Sequence, residues 1–470
     1  MSTASAAPRI AIIGAGGYVF PIRLAVDILS FPELQGCTFA LHDIHAERLQ
    51  RTGKRIAHVV ERHNLPTNVE MTTDRREALR GAKYVIIAFQ VGGVEAYAHD
   101  VNIPRQYGLD QCVGDTLGPG GVFRGLRTIA VLKDICRDIQ DVAPDALIIQ
   151  YANPMSINCW ATNLLGVKTV GLCHSVQGTS RMLIERAGYP YEEVSFKCGG
   201  VNHQAWFTAF THRGRDIYPA IRRTMLEQNP SPVQVELKNG QPVVSLRPGE
   251  QVPEDQIYYR EAVRTEIMRT FGYFHTESSH HGSEYTPWFR KNADMVNAYI
   301  PQRWDYYAIS CSYQNVEQQE HLDALINGPL ECSEEYGAQI IYAMETNHRR
   351  VVHGNVPNYG PPGSTPAQSS AHSIPNLPRE CCVEVACLVD ANGVQPTVHG
   401  PLPPQCAAIN RAMISVQELA VHAGLTGDRD AVHHAVALDP LTGALLTLPQ
   451  IRSMVEALFA AEAPWLPQFR

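Results

Sequence analysis

The feature that most constrains this chain is a buried-strand pattern that runs directly into a glycine-rich turn. Apolar residues dominate Arg9 to Ile13, Gly14-Ala15-Gly16-Gly17 follows at once, and apolar residues recur at helical spacing from Phe20 to Leu29. In a doubly wound α/β fold, Gly14 makes the tight turn and Gly16 lets a pyrophosphate approach the backbone at the helix N-terminus. Val19 stands in place of the third glycine of that motif. A glycine-rich turn of any other α/β protein is the alternative interpretation.

The next strand pattern gives a second signal for a dinucleotide. It begins at Cys37 and ends at Asp43, which lies 27 residues after Gly16. An acid at this place accepts hydrogen bonds from the adenosine ribose and repels a 2′-phosphate, which favours NAD over NADP. The alternative is that Asp43 caps the helix beginning near Ala46. Because the glycine turn precedes it, we expect Asp43 to bind NAD.

Two further buried-strand patterns end in amide side chains. Tyr84 to Phe89 ends at Gln90, which a glycine pair follows, and we expect this loop to lie beside the nicotinamide half of the cofactor. Leu147 to Ala152 ends at Asn153, which either faces a ligand or forms an Asx turn before proline. Ligands of open α/β sheets bind beyond the carboxyl ends of the strands, so we expect the site at this edge.

A cysteine and a histidine are candidate metal ligands. Cys173 follows the strand pattern Lys168 to Leu172, and His203 comes thirty residues later, behind a glycine pair. A thiolate and an imidazole at the ends of short elements can share one divalent ion. Taken alone, however, Cys173 is equally well a small buried apolar residue and His203 a hydrogen-bonded core residue. The spacing leaves both interpretations open.

The βαβ pattern of the first half does not continue after His203. The sequence predicts mixed α+β structure for the second half. His280 and His281 are adjacent, so on a helix they would point in different directions, and we do not expect both to act as ligands of one ion. The segments expected there are a polar loop from Asn229 to Pro253, a helix from Tyr258 to Arg269, a long loop from Gly354 to Pro378 and a buried strand from Cys381 to Val389.

Composition excludes several classes of protein. The chain has 470 residues, enough for two or three domains, and its net charge of -8 argues against a protein that binds nucleic acid by neutralising phosphates. No apolar run approaches the roughly 20 residues of a membrane-spanning helix, and no secretory signal pattern is present. The twelve cysteines are scattered and contain no Cys-x-x-Cys motif. We therefore expect reduced thiols and a cytoplasmic protein.

Together these segments make the chain resemble glycoside hydrolase family four, the NAD- and manganese-dependent glycosidases, from about Pro8 to Trp465. It is most similar to the bacterial α-galactosidase branch. The segments that carry the resemblance are Ile13-Gly14-Ala15-Gly16, Asp115-Thr116-Leu117-Gly118-Pro119-Gly120-Gly121, Tyr151-Ala152-Asn153-Pro154-Met155, Leu172-Cys173-His174-Ser175-Val176-Gln177-Gly178-Thr179, Val201-Asn202-His203, Thr276-Glu277-Ser278-Ser279 through Phe289, and Cys382 to Gly393.

The resemblance implies a redox-neutral elimination rather than displacement between paired carboxylates. The sugar is oxidised at C3 by NAD⁺, the acidified C2 proton is removed, and the C1–O bond breaks. Water then adds and the hydride returns. Mn²⁺ is expected to be chelated by the C2 and C3 oxygens of the sugar and to stabilise the enolate.

The resemblance also assigns roles to residues of this chain. Cys173 and His203 match the metal ligands, and Asn153 matches a substrate-binding residue. His174 matches a proton donor, a role that suits an imidazole near neutral pH. Asp115 matches an acid that stands beside the base.

The base that removes the C2 proton is not assigned by the resemblance. Some members use a tyrosine from the helix near the start of the second domain, where Tyr258 and Tyr259 lie in this chain. An ungapped alignment places Thr265 or Glu266 closer to that position, and Asp115 itself is a further candidate.

We therefore predict an α/β protein with a doubly wound, Rossmann-like NAD domain over residues 1–195. Residues 196–470 are expected to form an α+β domain similar to the C-terminal half of lactate and malate dehydrogenases. We expect a homo-oligomer, a dimer or tetramer, that acts on small α-galactosides and binds neither nucleic acid nor membrane. The alternatives are an α-galacturonidase or α-glucosidase of the same family, an NAD-dependent hydroxy-acid dehydrogenase, and an NAD-binding sensor.

Overall fold

The computed structural model describes residues 7–250, 260–301 and 316–469. Its strands are β1 Arg9–Ile13, β2 Thr38–His42, β3 Asn68–Thr72, β4 Tyr84–Ile87, β5 Leu147–Gln150, β6 Thr169–Gly171, β7 Val194–Val201, β8 Gln204–His212, β9 Arg215–Asp216, β10 Val233–Lys238, β11 Gln241–Leu246, β12 Phe274–His275, β13 Arg350–Pro357, β14 Cys382–Asp390 and β15 Gly393–Pro396.

The helices follow the strands in alternation through the first half of the chain and dominate its end. They are α1 Phe20–Leu29, α2 Ala46–Arg62, α3 Arg75–Leu79, α4 Gly93–Gln106, α5 Gly118–Val142, α6 Met155–Leu164, α7 Ser175–Arg186, α8 Tyr218–Gln228, α9 Ala262–Phe271, α10 Ser279–Glu284, α11 Ala293–Tyr299, α12 Val316–Asn327, α13 Tyr336–Thr346, α14 Pro404–Thr426, α15 Arg429–Leu438, α16 Pro440–Leu445 and α17 Leu448–Glu462. Among the helices of the described residues, none has both the length and the apolar composition that crossing a membrane requires.

Six parallel strands form the N-terminal part of the main sheet, in the order β3-β2-β1-β4-β5-β6. This is the strand order of doubly wound dinucleotide folds, whose ligands bind where the order reverses, between β1 and β4. The continuous apolar runs of β4 and β5 are fully buried, as expected for strands covered on both faces. The predicted Rossmann-like fold is confirmed.

The same sheet continues into the second half of the chain without a break. β6 pairs antiparallel with β13 through Gly171 and Asn355, and β14, β7, β8 and β12 follow in that order. The long helix α14 packs against α5 and α6 and so covers the junction. The second half is thus α+β, as predicted. The domain boundary at residue 195 falls within β7 and stays a prediction.

The expectation of a loop from Asn229 to Pro253 was wrong, because this segment contains the antiparallel hairpin β10–β11. Asn239 and Gly240 join its strands with φ of +53° and +77°. An Asn-Gly pair is the usual two-residue hairpin turn because both residues tolerate positive φ. The proline and polar content of the segment obscured this turn signal.

The loop expected from Gly354 to Pro378 begins later than predicted. Gly354 to Pro357 belong to β13, which pairs along its whole length with β14. Val351 and Val352, near the start of this strand, are the apolar residues that indicate a strand in the sequence. Arg349 and Arg350 precede them, so the apolar run is short. The strand depends on its pairing with β14, which lies far away in the sequence.

A buried charge cluster joins the end of the chain to the first half. Arg127 of α5 donates two hydrogen bonds to Asp100 of α4, at 2.9 and 2.8 Å, and a third to Glu462 of α17. All three side chains are fully buried. Arg127 also donates to the carbonyl of Val91 at 3.4 Å, so this cluster supports the loop that follows β4.

We expect Arg127→Met to lower the free energy of unfolding by about 3–5 kcal/mol, because it leaves two buried acids without their cation. Urea denaturation at neutral pH measures the change. Arg137→Met on the same helix is the matched control, since Arg137 is 72% exposed, and it should change stability by less than about 0.5 kcal/mol. Equal stability of the two variants would contradict this role.

Candidate active site

A cavity of about 840 Å³ lies beyond the carboxyl ends of β1, β2 and β4. Its wall includes Gly14, Gly16, Asp43 and Gln90, the four residues predicted to bind the cofactor, and Trp465 from the end of the chain. This is the place where doubly wound sheets bind dinucleotides. The structure brings the four residues together, and their roles stay predictions.

The glycine turn has the shape that a dinucleotide site requires. Gly14 has a φ of +94°, and a Cβ there would lie 2.5 Å from the carbonyl oxygen of Ala88. Asp43 Oδ2 accepts a hydrogen bond from the Gly16 amide at 2.8 Å, and Oδ1 accepts one from the His45 amide at 2.9 Å. Asp43 therefore does not cap the first turn of α2, and its carboxylate keeps acceptor capacity for a ribose.

Gln90 connects the cofactor cavity to a second cluster of polar side chains. Its Nε2 donates to the carbonyl of Gly93 at 2.8 Å, and its Oε1 accepts from Arg124 at 3.1 Å. Arg124 in turn donates to the carbonyl of Asn153 at 3.2 Å. Asn153 is the predicted substrate-binding residue, so this chain of contacts runs from one predicted site to the other.

Three side chains form a group suited to a divalent cation. Ligand atoms of Cys173, His203 and Glu277 lie within 4.8 Å of one another. Burial raises the pKa of the Cys173 thiol to about 11, so a bound cation would have to displace its proton. Burial also raises the pKa of Glu277, but the charges of nearby histidines outweigh it and bring that pKa to about 2. An ionised carboxylate, an imidazole and a thiol are donors that suit Mn²⁺ or Zn²⁺, so the residues fit a cation.

Hydrogen bonds fix the orientation of His203, whose backbone has a φ of +67°. Thr116 Oγ1 donates to Asp115 at 2.8 Å and lies 3.0 Å from His203 Nδ1. Tyr285 Oη lies 3.2 Å from the same nitrogen, so the two hydroxyl groups together hold the imidazole ring in place. His203 Nε2 faces the cation group and lies 3.7 Å from Glu277 Oε2.

Asp115 lies next to the candidate cation group. Its Oδ2 accepts a hydrogen bond from Asn153 Nδ2 at 3.0 Å. Burial raises the pKa of Asp115, but the positive charges of Arg124, His281 and His203 outweigh this effect and lower the pKa below its usual value. Asp115 is therefore ionised, and together with Asn153 it offers a hydrogen-bonding pair for sugar hydroxyls.

Glu284 of α10 holds the loop that carries Asp115. Its carboxylate accepts hydrogen bonds from the backbone amides of Cys112, Val113 at 2.7 Å and Gly114 at 2.9 Å. The side chain is buried, with 1% of its surface exposed. A residue of the second half of the chain thereby sets the position of the acid from the first half.

A second buried carboxylate, Glu384 of β14, lies between the two predicted metal ligands. Its Oε1 accepts from Asn202 at 3.4 Å and from Asn355 at 3.2 Å. Asn355 also donates to the carbonyl of Gly171 at 3.4 Å. Burial raises the pKa of Glu384 to about 7. This bridge links the end of β6, which leads to Cys173, with the turn that carries the imidazole ligand.

His174, the predicted proton donor, lies outside the buried cluster. Its side chain is 74% exposed, and its Nδ1 lies 3.6 Å from Glu335 Oε1. The Glu335 carboxylate, followed by the sulfur of Cys173, raises the pKa of His174 to about 10. The exposed imidazole is thus held in its protonated form by an acid of the second half.

Sequence reasoning missed Glu277 and His281. On α10 only His281 of the histidine pair enters the cluster, with its Nε2 at 4.0 Å from Asp115 Oδ1 and its Nδ1 at 3.3 Å from Glu277 Oε1. The density of histidine, serine and glutamate from 275 to 285 was the available signal. It indicated a site without indicating which side chains point inward.

The candidates for the base fall in three different places. Tyr258 and Tyr259 lie outside the described residues. Thr265 is fully buried in α9. Glu266 is bound to Arg269 one turn later, which gives it a structural partner. Among the described residues, the remaining candidate is Asp115.

Fold and site together are typical of α/β enzymes that combine a dinucleotide cavity with a cation group. Residues 9–188 match the family 4 glycosyl hydrolases, and residues 198–442 match the C-terminal domain of that family. The chain therefore belongs to family 4 of the glycosyl hydrolases and is a glycoside hydrolase. Membership excludes the dehydrogenase and sensor alternatives as descriptions of the protein.

Relatives cover nearly the whole chain. An α-galactosidase of Rhizobium meliloti (strain 1021) is 38% identical over 98% of this chain and 89% of its own length. An α-galactosidase of Bacillus subtilis (strain 168) is 36% identical over 98% of this chain and 100% of its own. A 6-phospho-α-glucosidase from gut microorganisms, solved with NAD and Mn²⁺, shares the fold with a TM-score of 0.72 and 20% identity, over 99% of this chain and 100% of its own.

We expect Glu277→Gln to weaken Mn²⁺ binding at least tenfold, because the amide removes the one ligand in the group that is ionised before the cation binds. Titration calorimetry on protein freed of metal measures the affinity. Glu456→Gln, an exposed change on α17, is the control and should bind like the unchanged protein. Unaltered affinity of Glu277→Gln would remove this residue from the ligand set.

We expect Glu384→Gln to change how stability depends on pH in metal-free protein. The folded pKa of about 7 exceeds the unfolded value of 4.5, so the carboxyl group stabilises the fold fully below pH 4.5 and loses that contribution as pH rises to 7. The difference in unfolding free energy, unchanged protein minus variant, should fall by roughly 3 kcal/mol across this window. Denaturation at pH 4.5, 6 and 7.5 tests this, and a difference that rises or stays constant would contradict it.

Proposed function

We propose that this glycoside hydrolase is an α-galactosidase that uses NAD and Mn²⁺ to cleave terminal α-galactosides. The observation that carries the proposal is the convergence of Cys173, His203 and Glu277 beside Asp115 and Asn153. Arg124 connects this cluster to Gln90 of the dinucleotide cavity. The names of the two α-galactosidase relatives support the substrate, and the solved relative with NAD and Mn²⁺ supports the cofactors.

The side chains have separate tasks in this proposal. The residues of the dinucleotide cavity would hold NAD, which would supply a hydride acceptor, and Cys173, His203 and Glu277 would hold Mn²⁺, which would supply Lewis-acid polarisation of sugar oxygens. Asn153 donates a hydrogen bond that orients the sugar. Asp115, ionised and buried, is the candidate acceptor for the C2 proton.

His281 and His174 both lie beside this centre. His281 Nε2 lies 4.0 Å from Asp115 Oδ1, and its imidazole contributes to the positive charge that keeps Asp115 ionised. His174 is protonated beside Glu335 and donates to the glycosidic oxygen as the C1–O bond breaks. One side of the sugar therefore loses a proton while the leaving group gains one.

The remaining expectations also belong to this proposal. We expect a homo-oligomer, a dimer or tetramer, in the cytoplasm, with an NAD domain over residues 1–195 and a substrate and metal domain over 196–470. An α-galacturonidase and an α-glucosidase are the alternative activities, because galacturonate differs from galactose only at C6 and glucose differs from it only at C4.

The proposal predicts solvent exchange at C2. An α-galactoside labelled with deuterium at C2 is hydrolysed in H₂O with NAD⁺, Mn²⁺ and a thiol reductant, and the released galactose should carry hydrogen at C2. A substrate labelled at C4 is the control and should keep its deuterium, and no net NADH should form. Galactose that retains deuterium at C2 would refute elimination. Faster cleavage of an α-galacturonide or α-glucoside would reassign the substrate.

A further inference from the structure

A second cavity, of about 550 Å³, opens beside His174. Its wall includes Phe20 and Arg23 of α1, Gly178 of α7, His321 of α12 and Glu335 before α13. It shares none of its wall residues with the dinucleotide cavity. His174 follows Cys173 directly in the chain, so this cavity adjoins the candidate cation group on the side where the exposed imidazole lies.

Polar groups of different charge face this cavity. Arg23 Nη2 lies 3.0 Å from His321 Nε2, and Glu335 Oε1 lies 3.6 Å from His174 Nδ1. Glu335 precedes the first turn of α13, but its side chain does not cap that helix. Its carboxylate lines the cavity and interacts with the imidazole and with the Tyr151 hydroxyl. Donors and an acceptor at separate points of one wall suit a ligand that carries several hydroxyl groups.

Gly178 leaves open the space in front of His174. It lies four residues after His174 at the start of α7, so the two residues share one face of the helix, and its amide donates to the His174 carbonyl at 3.0 Å. A Cβ built on Gly178 would meet no atom within 4 Å. A larger side chain here would enter the cavity without displacing the protein around it.

We propose that this second cavity binds the leaving group of the substrate and that its chemistry selects a neutral sugar. The inference rests on the proposed function, in which His174 protonates the glycosidic oxygen, so the group attached to that oxygen must lie on the His174 side. Phe20 contributes an apolar surface, Arg23 donates hydrogen bonds, and Glu335 accepts them.

The test compares two substrates that share the galactosyl group and differ in the leaving group. Melibiose carries a leaving glucose, whereas α-galactosyl fluoride carries a single atom that needs no such cavity. For Arg23→Leu, the ratio of kcat/KM for melibiose to that for the fluoride should fall about tenfold, the effect of one lost charged hydrogen bond. Gly178→Leu should lower the same ratio by more than tenfold by filling the space, and Gly178→Ala should lower it less.

Arg137→Leu, at an exposed site on α5, is the control and should leave the ratio and both rates unchanged. Hydrolysis of the fluoride also reports whether each variant is folded. If the unchanged protein cleaves both substrates and the ratio does not respond to Arg23→Leu or Gly178→Leu, the cavity does not hold the leaving group while the proposed function stands. If the unchanged protein cleaves neither substrate, both proposals fail.

Discussion

The site depends on a hydrogen-bonded bridge across the centre of the sheet. Cys173 follows β6 and His203 follows β7, and in the sheet these strands are separated by β13 and β14. Asn355 of β13 and Glu384 of β14 span that gap, from the carbonyl of Gly171 to the side chain of Asn202. Two ligands thirty residues apart in sequence are therefore connected by side chains from two strands that lie far along the chain.

Such a cluster is stable only if its charges compensate one another. Burying a carboxylate or an imidazolium without a partner costs several kcal/mol, so each charge needs a neighbour of opposite sign. Asp115 and Glu277 face His203 and His281, while Glu284 is compensated by three backbone amides. Cys173 and Glu384 have raised pKa values because nearby charges and hydrogen bonds do not fully offset the effect of burial. A divalent cation would supply the positive charge that this arrangement lacks.

Sequence patterns could predict the first half of the fold because its signals are local. The strand, glycine turn and acid at Asp43 lie within one βαβ unit, and their order in the chain dictates a parallel sheet and a site at its carboxyl edge. The antiparallel extension could not be predicted in this way. β13 is stabilised by its pairing with β14, which is distant in sequence. The Asn239-Gly240 turn that indicates a hairpin lies within a segment whose composition resembles a loop.

The same distinction explains which site residues were found. Cys173 and Asn153 follow β6 and β5, so the sheet alone places them at one edge, whereas Asp115 lies in the loop between α4 and α5. Glu277 and His281 reach this edge only because α10 docks against the Asp115 loop through Glu284, and Glu277 itself has a φ of +69° that no local pattern indicates. A residue whose position depends on the docking of a six-residue helix leaves no periodic trace in sequence. The ligands that complete a cation site are then the ones that only the folded structure can identify.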